Sequence, residues 1–122
     1  MISDPAMVTA LNAQAAPVSV NEDNHYTVAD MAALDRLVKI AMGNTGQSRR
    51  VANFLLAWWN ATDNGGFDFT DLWNVDLEIA QDMLRVFALI ANCRHYADHY
   101  GFDAEFRQLV TDWRKPKRRR RA

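Results

Sequence analysis

Apolar residues between positions 27 and 114 recur every three or four positions in four separate stretches, which is the spacing of amphipathic helices. The first predicted helix covers residues 28–42. Thr27 precedes it as the predicted N-cap, and Asp30 follows three residues later, as in a capping box. Because no sustained stretch alternates apolar and polar residues as a half-buried strand does, the pattern favours an all-α fold.

Three further helices are predicted over residues 47–60, 75–94 and 104–114, with Asp103 as the N-cap of the last. In the third of the four helices, the polar residues fall on one narrow line and apolar residues occupy every other side. We therefore expect it to be the central helix, packed on several sides. Its polar line consists of Glu78, Gln81, Asp82, Arg85 and Asn92. Its apolar sides carry Ile79, Met83, Leu84, Val86, Phe87, Leu89 and Ile90.

Residues 61–76 form a predicted connector between the second and third helices. The sequence from Asp63 to Gly66 is the strongest turn signal in the chain, and a β-hairpin around Asn64 is the alternative local structure. Asp68 or Thr70 is expected to start one short helical turn. Four apolar side chains of the connector are expected to fold back and cap one end of the core: Phe67, Phe69, Leu72 and Trp73.

The domain organisation follows from these elements. Four helices with short connections predict a small four-helix bundle over residues 27–114. Residues 1–26 show no sustained helical or strand period and are expected to be a disordered, flexible leader. Pro116 disfavours helical geometry at Lys115 and is therefore expected to end the last helix. We expect residues 115–122 to be a disordered basic tail.

The charge of the chain is divided unevenly between its body and its end. Seven of the 14 basic residues lie in the last nine positions, so the other 113 residues carry 7 basic and all 15 acidic residues, a net charge of −8. A basic end attracts a phosphate backbone, whereas an acidic body repels one. The residues expected to contact nucleic acid, without sequence specificity, are Lys115, Lys117, Arg118, Arg119, Arg120 and Arg121.

Composition argues against several classes of protein. The single cysteine excludes an internal disulfide, and no apolar run approaches the roughly 18 to 20 residues that cross a bilayer. The start of the chain lacks the pattern of a signal peptide. We therefore expect a cytoplasmic protein without membrane contact, and the absence of nucleotide-binding or nucleophile motifs leads us to expect no cofactor and no catalytic residues.

Two weaker patterns allow a metal site as an alternative. His95 and His99 are four residues apart, which is the spacing of two ligands on one helical face. A polar junction at a helix end explains the pair more simply. The connector acids Asp63, Asp68, Asp71 and Asp76 could bind calcium, but their order does not fit an EF-hand loop. Helix N-termini require acids as caps, which explains Asp68, Asp71 and Asp76 more simply.

Three segments resemble a small uncharacterised bacterial family found on plasmids and other mobile elements of proteobacteria. They are residues 51–60, which lead into a Trp-Trp-Asn-Ala motif at residues 58–61, then Gly65-Gly66-Phe67-Asp68, and residues 70–76. The resemblance covers about residues 27–114 and leaves the leader and the tail outside. It implies an accessory or counter-defence protein that acts by binding, and it implies no transferable activity.

The sequence therefore predicts a non-enzymatic interaction module that binds an unidentified protein partner through an acidic and aromatic face. Adjacent tryptophans on a helix point about 100° apart, so one of Trp58 and Trp59 is expected to be partly exposed. The predicted partner-binding residues are Trp59, Phe69, Trp73, Glu78 and Asp82. The alternative is a nucleic-acid-binding accessory protein that acts mainly through its basic tail.

Overall fold

The computed structural model describes residues 25–114, and these form four α-helices, two short 3-10 helices and no strand. The elements are α1 (Val28–Ala41), α2 (Gly46–Asn64), η1 (Phe69–Asn74), α3 (Leu77–Cys93), η2 (Ala97–Tyr100) and α4 (Asp103–Trp113). The predicted all-α four-helix bundle is thus confirmed, and the β-hairpin alternative is wrong. Most of the predicted leader and all of the predicted tail lie outside the described residues.

Helix α1 begins as its sequence predicts. The Thr27 hydroxyl oxygen accepts a hydrogen bond from the Asp30 backbone N–H at 3.1 Å, and the Asp30 carboxylate accepts one from the Thr27 backbone N–H at 2.9 Å. This reciprocal capping box satisfies two backbone donors that the first turn of a helix leaves without helical partners.

The central helix of the bundle is α1, and our prediction that α3 is central is wrong. Helix α1 packs against all three other helices, whereas the main helix contacts of α2 are with α1 and α4. Leu34 and Leu37 of α1 are fully buried. The core that α1 shares with the other helices includes Val51, Leu55 and Leu56 of α2, Met83, Val86 and Leu89 of α3, and Phe106 and Leu109 of α4.

Helix α3 covers the core with one side only. Met83, Val86 and Leu89 are buried, but Leu84 is 52% exposed and Phe87 is 56% exposed. The sequence showed apolar residues on several sides of this helix, yet no further helix within residues 25–114 covers the outward side. The described chain therefore leaves the outward apolar side of α3 in solvent.

Helix α2 changes direction at Asn60, where the helix was predicted to end. The backbone there leaves the helical region, with φ −166° and ψ 89°. The Asn60 side-chain oxygen accepts a hydrogen bond from the Asp63 backbone N–H at 3.1 Å, and its amide donates to the Asp63 carboxylate at 3.0 Å. Asn60 therefore acts as the N-cap of one more helical turn, which ends at Gly65 with a φ of +91°.

The connector after α2 packs on the core less completely than predicted. Phe67 and Leu72 lie against the core, but Phe69 is 72% exposed and Trp73 is 81% exposed, so our prediction that all four side chains cap the core is wrong. The 3-10 conformation of η1 accounts for Trp73, because the residue after Leu72 lies a third of a turn away from the side that faces the core. Phe69 shares the side of Leu72, but it lies at the start of η1 and lines a groove at the surface.

Asp68 starts η1, as predicted. Its carboxylate accepts hydrogen bonds from the Thr70 hydroxyl at 2.8 Å and from the Thr70 backbone N–H at 2.9 Å. These two hydrogen bonds favour the ionised carboxylate and lower the pKa of Asp68. Asp103, in contrast, does not cap α4: the N-cap position is Phe102, and Asp103 is the first helical residue, where an acid still complements the helix dipole.

Three tryptophan side chains connect the elements through their indole N–H groups. Trp58 donates to the His95 carbonyl at 3.2 Å, Trp59 donates to the Asp98 carboxylate at 2.7 Å, and Trp113 donates to the Ala41 carbonyl at 2.9 Å. Trp58 and Trp59 are both half-buried, so the expected partial exposure is shared between them.

The close approach of Gly43 to the start of α2 leads to a first prediction. A β-carbon on Gly43 would lie 2.7 Å from the Ser48 hydroxyl oxygen and 3.2 Å from the Ile40 carbonyl oxygen. Ser48 is buried and hydrogen-bonded to Thr45, so it cannot move away without losing that bond. We expect Gly43→Ala to lower the free energy of unfolding by roughly 1 kcal/mol, measured by urea denaturation.

Gly66→Ala is the matched control for this substitution. No atom lies within 4 Å of a β-carbon placed on Gly66, and its φ is not positive. The free energy of unfolding of the Gly66→Ala variant should therefore stay close to that of the wild type. Equal unfolding midpoints for the Gly43 and Gly66 variants would contradict the close packing of the α1–α2 turn.

Candidate interaction surface

Large apolar side chains are exposed along η1 and the outward side of α3. We call this set the apolar patch, and it consists of Phe69, Trp73, Leu77, Leu84 and Phe87, which are 52% to 81% exposed. Monomeric proteins rarely expose contiguous apolar surface beyond a few hundred Å², and larger exposed areas mark binding surfaces. The apolar patch is therefore the candidate functional site.

A groove lies between η1 and α3 within the apolar patch. It has a volume of about 200 Å³, and every residue that lines it is apolar. The lining residues are Phe54, Phe67, Phe69, Leu72, Met83, Leu84 and Phe87. Aromatic rings form one wall, since Phe67 lies 5.3 Å from Phe54 and 6.3 Å from Phe69 between ring centroids. Such a groove can accept an apolar side chain of a partner.

Ion pairs connect α1 with α3. The Arg36 guanidinium donates two hydrogen bonds to the Asp82 carboxylate, at 2.8 and 2.9 Å. The Arg85 guanidinium donates to the Asp30 carboxylate at 2.9 Å. Both pairs join the polar line of α3 to α1, and they fit the rotation of α3 about its axis that directs Leu84 toward solvent.

The structure brings together some of the predicted partner-binding residues and separates others. Phe69 and Trp73 belong to the apolar patch, and Glu78 is exposed in the first turn of α3 beside it. The Asp82 side chain is only 16% exposed and is paired with Arg36. Trp59 lies against α4 and η2 instead, with its ring 5.7 Å from that of Phe106.

Sequence reasoning missed Leu77, Leu84 and Phe87 as surface residues. Leu84 and Phe87 were assigned to the core because α3 is apolar on most sides. The available signal was the separation of Leu77 and Leu84 by one heptad, on the side of α3 opposite Val86. That spacing indicates a second apolar stripe but does not say which stripe faces the core.

The connector acids all have structural partners. Asp63 bonds Asn60, and Asp68 bonds Thr70. Asp71 lies 3.8 Å from the Arg50 guanidinium. Asp76 donates its backbone N–H to the Gln47 side chain at 2.7 Å. Within residues 25–114, no three histidine, cysteine or acidic side chains come together in a way that could hold a metal ion.

His95 and His99 stack face to face near the end of α3. Their ring centroids lie 3.7 Å apart with an interplanar angle of 15°, and Tyr100 lies edge-on to both. The Tyr100 hydroxyl is buried, and burial raises the pKa of this phenol above its usual range. Cys93 is buried, and its thiol donates to the His25 carbonyl at 3.2 Å. This cluster packs the start of α1 on the end of α3.

Arg114 ends the described chain and is held by α2. Its guanidinium donates to the Asn64 carbonyl at 2.7 Å, to the Asn53 side-chain oxygen and to the Trp113 carbonyl. This arginine therefore belongs to the helical domain. The six predicted nucleic-acid contacts, which follow it in the sequence, lie outside the described residues.

No helix within residues 25–114 has both the length and the apolar character that crossing a membrane requires. Comparison of the chain with curated proteins and with solved structures found no match. A family model does match, over residues 31–114, which begin inside α1 and include the whole apolar patch. By this match the chain belongs to DUF7673, a family of unknown function.

Proposed function

We propose that the protein is a non-enzymatic interaction module that binds a protein partner through the apolar patch. The observation that carries this proposal is the exposure of five large apolar side chains around an apolar groove. The resemblance noted for residues 51–76 supports a bacterial mobile element as the setting, where an accessory or counter-defence protein would act by binding.

The free energy available from the apolar patch supports binding. Fully burying a large apolar side chain contributes about 1.5–3 kcal/mol, and the side chains of the patch are more than half exposed. Trp73 and Phe69 flank Leu72, which anchors η1 on the core. These two rings are already held on an ordered segment. A partner that covers them therefore gains apolar contact at little cost in the conformational entropy of this chain.

The charges beside the apolar patch define its border. Asp76 and Glu78 are exposed next to Leu77, while Asp82 and Arg85 are neutralised by α1. The centre of the predicted acidic and aromatic face is therefore apolar, and its acidic part is a border at the start of α3. A partner needs an uncharged centre and benefits from a basic group at that border.

Photo-crosslinking in the native host tests this proposal. Trp73 is replaced by benzoylphenylalanine in the full chain, and Gln108, an exposed residue of α4, is replaced as the matched control. We expect a covalent protein adduct from position 73 that Phe87→Glu abolishes, and none from position 108. No adduct from position 73, or the same adduct from both positions, would contradict the proposal.

Nucleic-acid binding through Lys115–Arg121 is the second proposed function, and the observation that favours it is the division of charge. Because Arg114 is part of the folded domain, a deletion that begins at Lys115 removes the basic residues without removing this contact. Five or so phosphate contacts would give log Kobs a slope of about −4 to −5 against log salt. DNA binding that survives the deletion would contradict this second proposal.

A further inference from the structure

The outward side of α3 is uncharged along its whole length. Of the 17 residues of this helix, the charged ones are Glu78, Asp82 and Arg85, and the latter two bond α1. Gln81 is the polar residue that shares the outward side. The apolar and small residues there are Leu77, Ala80, Leu84, Phe87, Ala88 and Ala91. Covering such a surface desolvates no charge.

The spacing of these residues is that of a helix that packs along another helix. Leu77, Leu84 and Ala91 are each seven residues apart, and Ala80 and Phe87 lie between them at three-residue steps. This is the a and d pattern of a heptad repeat, which keeps one seam facing a partner helix at a crossing angle of about 20°. The small side chains of Ala80 and Ala91 permit close approach of the two backbones.

We propose that a second copy of this chain covers the apolar patch, with the α3 helices of the two copies packed antiparallel. This inference rests on the proposed function, because it names the partner of the same surface. A two-fold axis at Leu84, the midpoint between Leu77 and Ala91, places each Leu77 opposite the partner's Ala91. The heptad seam is then continuous across both copies.

Charge complementarity favours this occupant and this direction. The first turn of α3 exposes Asp76 and Glu78, and the residue after its last turn is the exposed Arg94. Antiparallel packing brings the acidic end of each α3 near the Arg94 end of the other, and it also opposes the two helix dipoles. Parallel packing would bring like charges together.

The exposed area of the apolar patch approaches the area that a dimer interface requires. With 150–250 Å² for each aromatic side chain, the exposed fractions of the apolar patch amount to on the order of 600 Å². A standard interface buries about 800 Å² on each partner, and the alanines and the border residues of α3 add to the patch. The apolar patch therefore supplies most of the area of a standard interface, and these further residues of α3 extend it.

Sedimentation equilibrium of the purified full chain tests the inference. We expect twice the 13.9 kDa mass of the chain at about 100 µM, and at least a 100-fold higher dissociation constant for Leu84→Glu. Val28→Glu is the matched control, because Val28 is 87% exposed in α1 and lies outside the patch. It should dimerise like the wild type, and circular dichroism should show both variants folded.

Disulfide trapping tests the arrangement, since Cys93 is buried. Leu84→Cys should form an interchain disulfide under added oxidant because the two position-84 side chains meet at the axis. Leu77→Cys should not, since it faces Ala91 of the other copy. Equal trapping at both positions would overturn the antiparallel arrangement.

The two proposals fail in distinguishable ways. A wild-type chain that stays monomeric up to about 500 µM, or a dimer that Leu84→Glu leaves intact, would overturn the dimer. If position 73 then crosslinks to a different protein in the host, the proposed function stands without the dimer. If position 73 yields no adduct either, both proposals are wrong.

Discussion

Replacing Phe106 by alanine is expected to lower the free energy of unfolding by about 3–5 kcal/mol. Phe106 is completely buried where α4 meets α2. The rings of Trp58 and Trp59 lie edge-on to it, with centroids 5.8 and 5.7 Å away. Removal of the ring leaves a cavity and also removes two aromatic contacts. Since small domains are stable by only about 5–15 kcal/mol, this loss is a large part of the total.

Urea denaturation followed by tryptophan fluorescence measures this effect, because both indoles report on the ring. Phe69→Ala is the matched control: it deletes the same ring, but Phe69 is 72% exposed and lies in the apolar patch. We expect its free energy of unfolding to change by less than about 0.5 kcal/mol in the monomer. If the Phe106→Ala variant does not fold, Phe106→Leu can be measured instead, with a smaller expected loss of unfolding free energy. Similar losses at 69 and 106 would be incompatible with this core.

Asp30→Ala is expected to lower the free energy of unfolding by about 2 kcal/mol. The Asp30 carboxylate takes part in two interactions at once. One oxygen accepts the Thr27 backbone N–H in the capping box, and the other accepts the Arg85 guanidinium of α3. The alanine variant therefore loses half of the cap and leaves a partly buried arginine without its carboxylate.

Asp35→Ala on the same helix is the control, because the salt bridge of Asp35 joins it to the exposed Lys39 one turn away on α1 itself. Such a pair contributes at most a few tenths of a kcal/mol. A double-mutant cycle of Asp30→Ala with Arg85→Ala, measured by thermal denaturation, separates the free energy of the ion pair from that of the cap. If the two alanine variants at 30 and 35 unfold at the same temperature, the structural role given to Asp30 is wrong.

Much of the helical fold could be predicted because the signals are local. The capping box of α1 depends on residues three positions apart, and the helix ends depend on nearby glycines and caps. The end of α2 was harder to predict, since Asn60 both interrupts the helix and caps another turn. At the start of α4, the structure places Phe102 where an acid was expected, and Asp103 lies one residue inside the helix.

The candidate site could be predicted only in part. Phe69 and Trp73 were predicted both to cap the core and to bind a partner, and their exposure contradicts the first prediction. Leu84 and Phe87 were assigned to the core. Asp82 was expected to face a partner, yet it pairs with Arg36, which is 46 positions away in the sequence. Long-range pairs of this kind leave no periodic signal in one sequence.

The sequence by itself determined the helices and the amphipathic side of α1, because each depends on residues within a few positions. Only the tertiary structure decided which helix is central and which side of α3 faces solvent. The physical reason is that a helix with two apolar sides lowers its free energy by burying either one. In the bundle, Met83, Val86 and Leu89 pack into the core. The ion pairs of Asp82 and Arg85 with α1 fit that orientation, which leaves Leu84 at the surface.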